Sequence, residues 1–430
     1  MRVLVLSQYY DPEPVPKPGE LAKALADRGH AVTVLTGFPN YPSGKLYAGF
    51  RLGAIKQEQL GGIQVIRAFE FPYHGKRVLG RVLNYLSFMI SAPLASLVVP
   101  PCDVIYVWHP PLTIGVAAWL IARLRGVPFV YDVQDIWPEI ALLSGLLTRG
   151  WLVTLMAKLE RFVYRRADYL LVVTADARAN LISKGVSPAL ISVVPHWVDE
   201  SMFKPGNEDL RSRMRKQYGW EHRFVVLFAG NIGMVQGLDS VVMAAHQLRN
   251  GKKILIVLVG EGTDKARLQG LAEKLDAQDA IQFLEHQPIE KIADFMAAAD
   301  ALLVHLKKTE LSRYVIPTKT IAYLAAGKPI LMAMDGAAAT LVSAAGAGLV
   351  IPSEDPVALA RAIETLWSMP RDALLTMGRH GRDYFEAHLA KERAIDQYEE
   401  ILRRSSDKVV PRNVSHPARR DRKHSADQGY

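Results

Sequence analysis

The sequence predicts an α/β protein built from two doubly wound, Rossmann-like domains that face each other across a cleft. The chain has 430 residues, enough for two or three domains. Short apolar runs rich in β-branched residues alternate with helical patterns along most of it. These runs are apolar throughout, which is typical of parallel strands buried on both faces.

The predicted strands fall into two groups. The first half of the chain contains Arg2–Ser7, Ala31–Leu35, Ile63–Arg67, Asp103–Trp108, Pro128–Asp132, Tyr169–Val173 and Ile191–Pro195. The second half contains Phe224–Ala229, Ile254–Val259, Ala280–Leu284, Ala301–His305, Pro329–Met332 and Gly348–Ile351. The helical patterns between them fit right-handed βαβ crossovers, so each half predicts one doubly wound sheet.

The boundary between the domains follows from a linker. The stretch Glu200–Arg215 contains Pro205-Gly206-Asn207, which is typical of a linker and a helix start. We therefore predict one domain over residues 1–200 and a second over residues 201–388. A helix within residues 389–405 is a candidate to pack back on the first domain. Residues 406–430 are predicted to be a basic, disordered tail.

Composition excludes several classes of protein. Hydrophobic residues make up 50% and charged residues 22% of the chain, which excludes a fibrous or wholly disordered protein. Cys102 is the only cysteine, so an intrachain disulfide and a multi-cysteine metal site are excluded. The first apolar run is too short for a signal peptide, and we expect a cytoplasmic protein. The net charge is +9, but no zinc-finger, KH or RRM signature is present, so nucleic acid is not an expected partner.

One uncharged stretch, Val82–Cys102, is long enough to span a bilayer. Prolines interrupt it, and three interpretations stay open: a helix in the membrane interface, an ordinary core helix and a true span. Its basic flank fits an interfacial helix on anionic lipid. A second apolar and basic stretch, Trp151–Arg166, has similar character. The candidate membrane and acceptor residues are Arg77, Arg81, Leu86, Phe88, Met89 and Trp151.

In open α/β sheets, ligands bind beyond the carboxyl ends of the strands, so the loops that follow strands are the candidate sites. In the first domain, Asp135 and His109 each follow a predicted strand, and we take them with Glu13 as candidate catalytic residues. Lys17 and Gly19, just before a helix predicted near Glu20, are candidate anion contacts. The alternatives that remain are a helix N-cap for Asp135, a structural histidine for His109 and a surface turn for the loop of Lys17 and Gly19.

In the second domain, three loops are suited to a phosphate, because glycines allow close approach and backbone amides and a lysine supply positive charge. The turn from Gly230 is predicted to lead into a helix at Leu238–Arg249. There is no GxGxxG motif, which weighs against a nicotinamide cofactor. No acidic pattern typical of magnesium binding stands out, so neither a metal nor a cofactor is predicted. The candidate donor-binding residues here are Gly230, Asn231, Gly233, Gln236, Gly260, Glu261, Gly262, Thr318 and Lys319.

Several of these loops carry a resemblance to a known family. The stretches are Ser7–Pro14, Leu35–Gly44, Tyr106–Leu112, Asp135–Glu139, Gly230–Gly233, Gln236–Asp239 and Tyr323–Pro329. Their order and spacing over residues 1–400 resemble the family 4 retaining glycosyltransferases of the GT-B fold, in the subgroup that builds bacterial exopolysaccharide, colanic acid or O-antigen.

The chain departs from the family pattern at four positions. Many members carry Arg and Lys where this chain has Asn231 and Gln236, and His where it has Gln134. The glutamate that binds ribose in the family falls on Ala322, and Glu310 is a candidate substitute.

The resemblance implies a transferase that moves a sugar, with retention, from a nucleotide-sugar donor, expected to be UDP-linked. The implied acceptor is a polyprenyl-diphosphate-linked saccharide, reached by a peripheral enzyme on the anionic inner face of the cell membrane. Asp135 and His109 would position the acceptor hydroxyl, and domain closure would exclude water. Two alternatives remain: a GT-B nucleotide-sugar epimerase and a non-catalytic scaffold in a polysaccharide assembly complex.

Overall fold

The computed structural model describes residues 1–75, 77–143, 150–249 and 253–407, which form two α/β lobes. The predicted tail from residue 408 onward and Lys76 of the basic flank lie outside the described residues. The elements of the N-terminal lobe are β1 (Arg2–Ser7), α1 (Pro16–Asp27), β2 (Ala31–Gly37), β3 (Ile55–Leu60), β4 (Ile63–Ala68), α2 (Val78–Ala95), β5 (Val104–Trp108), α3 (Ile114–Arg125), β6 (Phe129–Val133), α4 (Glu139–Leu143), α5 (Trp151–Arg166), β7 (Tyr169–Val172), α6 (Ala175–Ser183) and β8 (Ile191–Val193).

The sheet of this lobe has eight strands in the order β3-β4-β2-β1-β5-β6-β7-β8. All its pairs are parallel except β3 with β4. Strand β3 was not predicted from the sequence. It is an edge strand of sequence Ile-Lys-Gln-Glu-Gln-Leu, half-exposed along its length, and it carries none of the continuous apolar character that marked the other strands.

The C-terminal lobe repeats the doubly wound plan. Its elements are α7 (Glu208–Tyr218), β9 (Phe224–Ala229), α8 (Asp239–Leu248), β10 (Ile254–Val259), α9 (Lys265–Lys274), β11 (Ile281–Leu284), α10 (Ile289–Ala298), β12 (Ala301–His305), α11 (Thr318–Ala325), β13 (Ile330–Ala333), α12 (Ala337–Ala344), β14 (Gly348–Ile351), α13 (Pro356–Ser368), α14 (Arg371–His388) and α15 (Lys391–Ser406). Its six strands are parallel and ordered β11-β10-β9-β12-β13-β14. In such sheets the carboxyl ends of the central strands are where ligands bind, and this places the site described below.

The last described helix, α15, crosses back to the N-terminal lobe. Its apolar face, with Ile395 and Leu402 buried, joins a core cluster that includes residues of β1, β2 and α1. The Tyr398 hydroxyl donates to the buried carboxylate of Asp132 over 2.8 Å. At the rim, Arg28, the residue that follows α1, forms ion pairs with three carboxylates of α15. The chain end therefore packs on the domain where the chain begins.

Helix α2 has two different faces. One packs on the N-terminal sheet: Phe88 is only 1% exposed, and the Asn84 side chain accepts a hydrogen bond from Gln8 over 2.8 Å. This corrects the prediction that Phe88 is a membrane residue, because it lies one helical turn from Asn84 and shares that helix's buried side. Met89 is half-buried against the same core. The stretch Val78–Val98 has the length and mean hydropathy of a membrane span, and 28% of an 18-residue window within it is buried inside the protein.

Candidate active site

A cavity of about 510 Å³ opens at the carboxyl ends of β9 and β10, beside the start of α11. The linker between the lobes also contributes to its wall. Its polar part includes Gly230, Asn231, Thr318 and Lys319, and its apolar part includes Val259, Ile289, Ile292 and Met296. A cavity with a mostly apolar wall and a few convergent polar groups is the usual form of a small-molecule site.

Two glycine-containing loops pack directly on each other at this cavity. The Gly230 amide donates to the Val259 carbonyl over 3.0 Å. A Cβ built at Gly260 would lie 2.0 Å from the Gly230 carbonyl oxygen, and Gly260 has a φ of +149°. A Cβ at Gly262 would lie 2.1 Å from the carbonyl oxygen of Ile232. The glycines are therefore required for the two loops to meet, and their spacing sets the shape of the cavity wall.

Lys319, in the first turn of α11, brings its ammonium group to the glycine turn. The side chain is half-buried, with Nζ 3.6 Å from the centre of the Phe228 ring and 3.3 Å from the Gln236 Oε1. A Cβ at Gly230 would lie 3.0 Å from this Nζ. Burial lowers the pKa of Lys319 to about 7. Among the described residues that line the cavity, Lys319 is the only lysine or arginine, so an anion bound here meets one concentrated cation.

The turn after β9 also leaves backbone donors free. Within the described part of the chain, the amides of Asn231 and Gly233 donate to no residue. Helix α8 begins at Asp239, one residue after its predicted start, and the turn Met234–Gln236 separates it from the Gly230 turn. The Asp239 carboxylate at that end is paired with Arg267 at 2.6 Å. Positive potential at the turn thus comes from Lys319 and the amides.

At the position of the family's ribose-binding glutamate, Ala322 is buried and lines the cavity. Glu310 is exposed, pairs with Arg313 at 3.8 Å and is not among the lining residues. Glu261 is the one acidic side chain among the described lining residues, and its Oε1 lies 2.6 Å from the Lys265 Nζ. This ion pair lowers the pKa of Glu261, which therefore is a carboxylate at neutral pH.

On the N-terminal lobe, Asp135 and His109 follow neighbouring strands, β6 and β5. Burial raises the pKa of Asp135 to about 6 and lowers the pKa of His109 to about 3, so the histidine is neutral at physiological pH. The His109 ring lies 5.5 Å from the ring of Tyr131, and both of its nitrogens are buried without a hydrogen-bond partner among the described residues. The sequence reasoning passed over Tyr131, since its place inside a strand marked it as core.

Three other predicted residues have different positions. Glu13 is buried, and its carboxylate accepts the amides of Tyr10, Asn40 and Tyr41 over 2.7–3.0 Å, so it holds a loop and is not a catalytic residue. Lys17 donates to the Trp197 carbonyl and lies 3.7 Å over the Trp197 ring. The helix α1 begins at Pro16, earlier than predicted, so Gly19 lies inside the helix. A Cβ built at Gly19 would lie 3.0 Å from the Asp11 Oδ2. Neither Lys17 nor Gly19 lines the cavity, which corrects their assignment as donor contacts.

Phe228 is a site residue that sequence reasoning missed. Its ring forms the floor under the Lys319 ammonium, but it lies in a continuous apolar strand, β9, where nothing in the pattern separates it from its neighbours. His286 and Gln287 also line the cavity and follow β11. Their position after a strand is the sequence feature that could have marked them as ligand-binding residues.

Comparison with known proteins gives the family. Residues 17–197 match the model of a glycosyl transferase 4-like domain, and residues 211–383 match that of the glycosyl transferases group 1. The candidate colanic acid biosynthesis glycosyl transferase WcaI of Escherichia coli strain K12 is 26% identical over 419 residues, which cover 93% of this chain and 98% of that protein.

Two solved structures have a similar fold. Sucrose-phosphate synthase from Thermosynechococcus elongatus superposes with a TM-score of 0.72 at 18% identity, covering 94% of this chain and 98% of that one. Anabaena HepE in complex with UDP and glucose superposes with a TM-score of 0.68 at 19% identity, covering 94% and 99%. Because both lobes match glycosyltransferase domains that together span more than four fifths of its length, this chain belongs to the family 4 glycosyltransferases of the GT-B fold.

Proposed function

We propose that the protein transfers a sugar, with retention, from a UDP-linked donor to a polyprenyl-diphosphate-linked saccharide in bacterial surface polysaccharide synthesis. The observation that carries the donor half of this proposal is the Lys319 ammonium beside the Gly230 turn at the mouth of the cavity. A half-buried cation next to free amides is complementary to a diphosphate, whose charge grows as the sugar leaves. The names of HepE, bound to UDP and glucose, and of WcaI are consistent with this choice.

In this proposal the diphosphate lies between Lys319, Thr318 and the amides of the Asn231 turn. The nucleoside lies along the apolar wall, and the Glu261 carboxylate takes the ribose hydroxyls that Ala322 cannot reach. No metal is required, since Lys319 and the amides oppose the developing charge. In the described part of the chain, no group of three or more His, Cys, Asp and Glu side chains is arranged to hold a metal ion.

The transfer step breaks the bond between the sugar C1 and the diphosphate oxygen, and the electron pair leaves with UDP. The acceptor hydroxyl oxygen forms the new bond to C1 on the same face, and its proton passes to the departing phosphate oxygen. Asp135, as a carboxylate, accepts a hydrogen bond from that hydroxyl and orients it, with neutral His109 beside it. Closure of the two lobes excludes water, which would otherwise consume the donor.

The acceptor half rests on the exposed face of α2. Leu79 is 70% exposed and Ile90 61%, and on α5 Trp151 is 74% exposed. Leu86 and Arg77 are exposed as well, and Arg81 is half-buried. Helix α2 has no acidic residue, and the one acidic residue of α5, Glu160, is buried. An apolar face with a basic border is complementary to an anionic bilayer, so we propose peripheral binding at the cytoplasmic face of the cell membrane.

A panel of nucleotide-sugars, incubated with the purified protein with and without lipid-linked saccharide, tests the proposal. We expect UDP release from one UDP-sugar that accelerates when the acceptor is present. An epimerase would consume donor without acceptor and release no acceptor product. A scaffold would neither bind UDP nor release it. Either of these results would contradict the proposed activity.

A further inference from the structure

His305 is a histidine at the carboxyl end of β12, beside the turn Met234–Gln236. Its side chain is only 1% exposed, and it is not among the described residues that line the cavity. A buried imidazole costs folding free energy unless both of its ring nitrogens have partners. The atoms that the two nitrogens contact therefore indicate what this histidine holds in place.

Both nitrogens of the His305 ring have a partner. Nδ1 lies 2.6 Å from the Gln236 carbonyl oxygen, and Nε2 lies 2.7 Å from the Ser240 Oγ. Because a carbonyl oxygen can only accept, Nδ1 carries a hydrogen and donates it to Gln236. Burial lowers the pKa of His305 despite this hydrogen bond, so the ring is neutral at neutral pH. Its Nε2 then has no hydrogen and accepts the hydrogen of the Ser240 hydroxyl.

The end of β12 holds the turn Met234–Gln236 by backbone as well as by side chain. The Lys307 amide, two residues after His305, donates to the Val235 carbonyl over 3.0 Å. The next residue of the turn, Gly237, has a φ of +63°, and a Cβ built on it would lie 3.3 Å from the His305 Cε1 and 2.9 Å from the Lys307 Cγ. The glycine therefore lets the turn pack directly on the imidazole.

Gln236 connects His305 to the groups that face the cavity. Its side-chain Oε1 accepts a hydrogen bond from the Lys319 Nζ over 3.3 Å. Its amide donates to the Gly233 carbonyl over 2.9 Å, which fixes the residue whose own amide is free. Lys319 is the only lysine or arginine among the described lining residues, so its position determines where positive charge meets a ligand. Holding the Gln236 backbone therefore fixes both a cation and an amide donor.

We infer that His305 is a positioning residue of the donor site, which holds the Gln236 carbonyl and thereby places the Lys319 ammonium and the Gly233 amide for the diphosphate. His305 stays outside the cavity wall and acts through Gln236. This inference rests on the proposed function and adds a residue that supports the groups binding the diphosphate. If His305 only packed in the core, its replacement would change the binding of phosphate and of nucleoside alike.

Two amide substitutions separate the roles of the two ring nitrogens. In His305→Asn the side-chain NH2 group takes the place of Nδ1–H and donates to the Gln236 carbonyl. In His305→Gln the longer side chain carries its amide to the position of Nε2, beside Ser240. Calorimetry measures the affinity for UDP, and ligand-observed NMR measures the affinity for uridine, which has no phosphate. We expect His305→Gln to bind UDP about tenfold more weakly than His305→Asn, with equal affinity for uridine.

His246→Gln is the matched control. His246 is a half-buried histidine of α8 in the same lobe, its Nδ1 contacts the Leu275 carbonyl, and it is not among the described lining residues. We expect this variant to bind UDP like the unmodified protein. The inference is overturned if the two amide variants of His305 bind UDP alike, or if His305→Gln loses affinity for UDP and uridine in equal proportion. Failure of the unmodified protein to bind UDP would instead contradict the proposed function.

Nitrogen-15 NMR of the histidine side chains tests the hydrogen bond in the unmodified protein, whether or not a variant folds. We expect His305 to be neutral at neutral pH with its hydrogen on Nδ1, both without and with UDP. A neutral ring with its hydrogen on Nε2 could not donate to the Gln236 carbonyl and would overturn the inference. Thermal unfolding identifies a variant that has not folded. His305→Phe, which keeps a ring but has no donor, then replaces His305→Gln.

Discussion

At the scale of single residues, Asp135 carries the proposed orientation of the acceptor. Burial raises the pKa of its carboxyl to about 6, so the fraction ionised falls as the pH drops through 6. We expect kcat/KM for transfer to fall about tenfold per pH unit below that value and to level off above it. A profile that stays flat down to pH 5 would contradict this assignment.

Asp135→Asn keeps the size of the side chain and removes the charge. We expect kcat for transfer to fall about 10²–10⁴-fold, because the acceptor hydroxyl loses a negatively charged hydrogen-bond acceptor and gains only a neutral amide oxygen. Affinity for UDP should stay unchanged, since Asp135 does not line the donor cavity. Steady-state kinetics and calorimetry on the same preparation check both halves, and a normal kcat would remove Asp135 from the mechanism.

Lys319 gives a prediction about protons. Burial lowers its pKa to about 7, so at pH 8 most of it is neutral in the free protein. A bound diphosphate favours the charged form, so UDP binding at pH 8 should take up close to one proton. Calorimetry in buffers of different ionisation enthalpy measures this uptake.

Lys319→Met should lose both the proton uptake and most of the UDP affinity. Lys328→Met is the matched control. Lys328 is also half-buried, and its pKa is lowered to about 8. Its ammonium donates to the Ala297 and Ala299 carbonyls over 2.9 Å, and it does not line the cavity. Equal uptake in the unmodified protein and Lys319→Met would exclude Lys319 as the diphosphate partner.

Residue types could be predicted from the sequence where a loop carries chemistry. The predicted Asn231, Thr318 and Lys319 line the cavity, and their role in donor binding stays a prediction. Prediction from the sequence failed where the direction of a side chain decides its functional role. The carboxylate of Glu13 and the ammonium of Lys17 both turn into the protein and bind backbone groups. Nothing in a single sequence distinguishes a loop residue that points outward from one that satisfies its neighbours.

At the scale of elements, α2 is expected to act as a membrane-binding helix. Replacing Leu79 and Ile90 together by Glu puts two negative charges on the exposed face and leaves the buried face intact. We expect binding to phosphatidylglycerol vesicles to fall at least about tenfold, because both apolar contact and charge attraction are lost. Vesicle cosedimentation measures it.

Leu375→Glu, at a 48% exposed leucine of α14 in the other lobe, is the control and should bind vesicles normally. Binding by the unmodified protein should also weaken at high salt, because the basic border contributes through screened charges. If the double variant sediments with vesicles like the control, the α2 face is not the contact surface.

Most elements were predictable because burial on both faces leaves a long apolar signal. The strands β9, β10, β12 and β14 have their predicted bounds. The edge strand β3 was not predicted because its side chains alternate between exposed and half-buried positions, so its sequence has no continuous apolar run. Phe88 was assigned to the wrong face of α2, since in an apolar helix composition alone does not say which side meets the sheet.

At the scale of the whole molecule, α15 ties the end of the second lobe to the first. Tyr398→Phe removes one donor to the buried Asp132 and leaves Tyr106 and Gln134 as its partners, at 2.6 Å each. We expect the N-terminal lobe to lose about 1–3 kcal/mol of unfolding free energy. Denaturant titration followed by tryptophan fluorescence measures it, with Tyr384→Phe on α14 as the control. An unchanged midpoint would show that this hydrogen bond does not secure α15.

The central claim is that the two lobes enclose a nucleotide-sugar whose diphosphate is held by Lys319 and the Asn231 turn without a metal ion. A crystal structure of the protein grown with UDP and a chelator tests this most directly. The account predicts diphosphate density within hydrogen-bonding distance of the Lys319 Nζ and of a free amide in the turn. Density for UDP elsewhere, or none until a divalent ion is added, would contradict it.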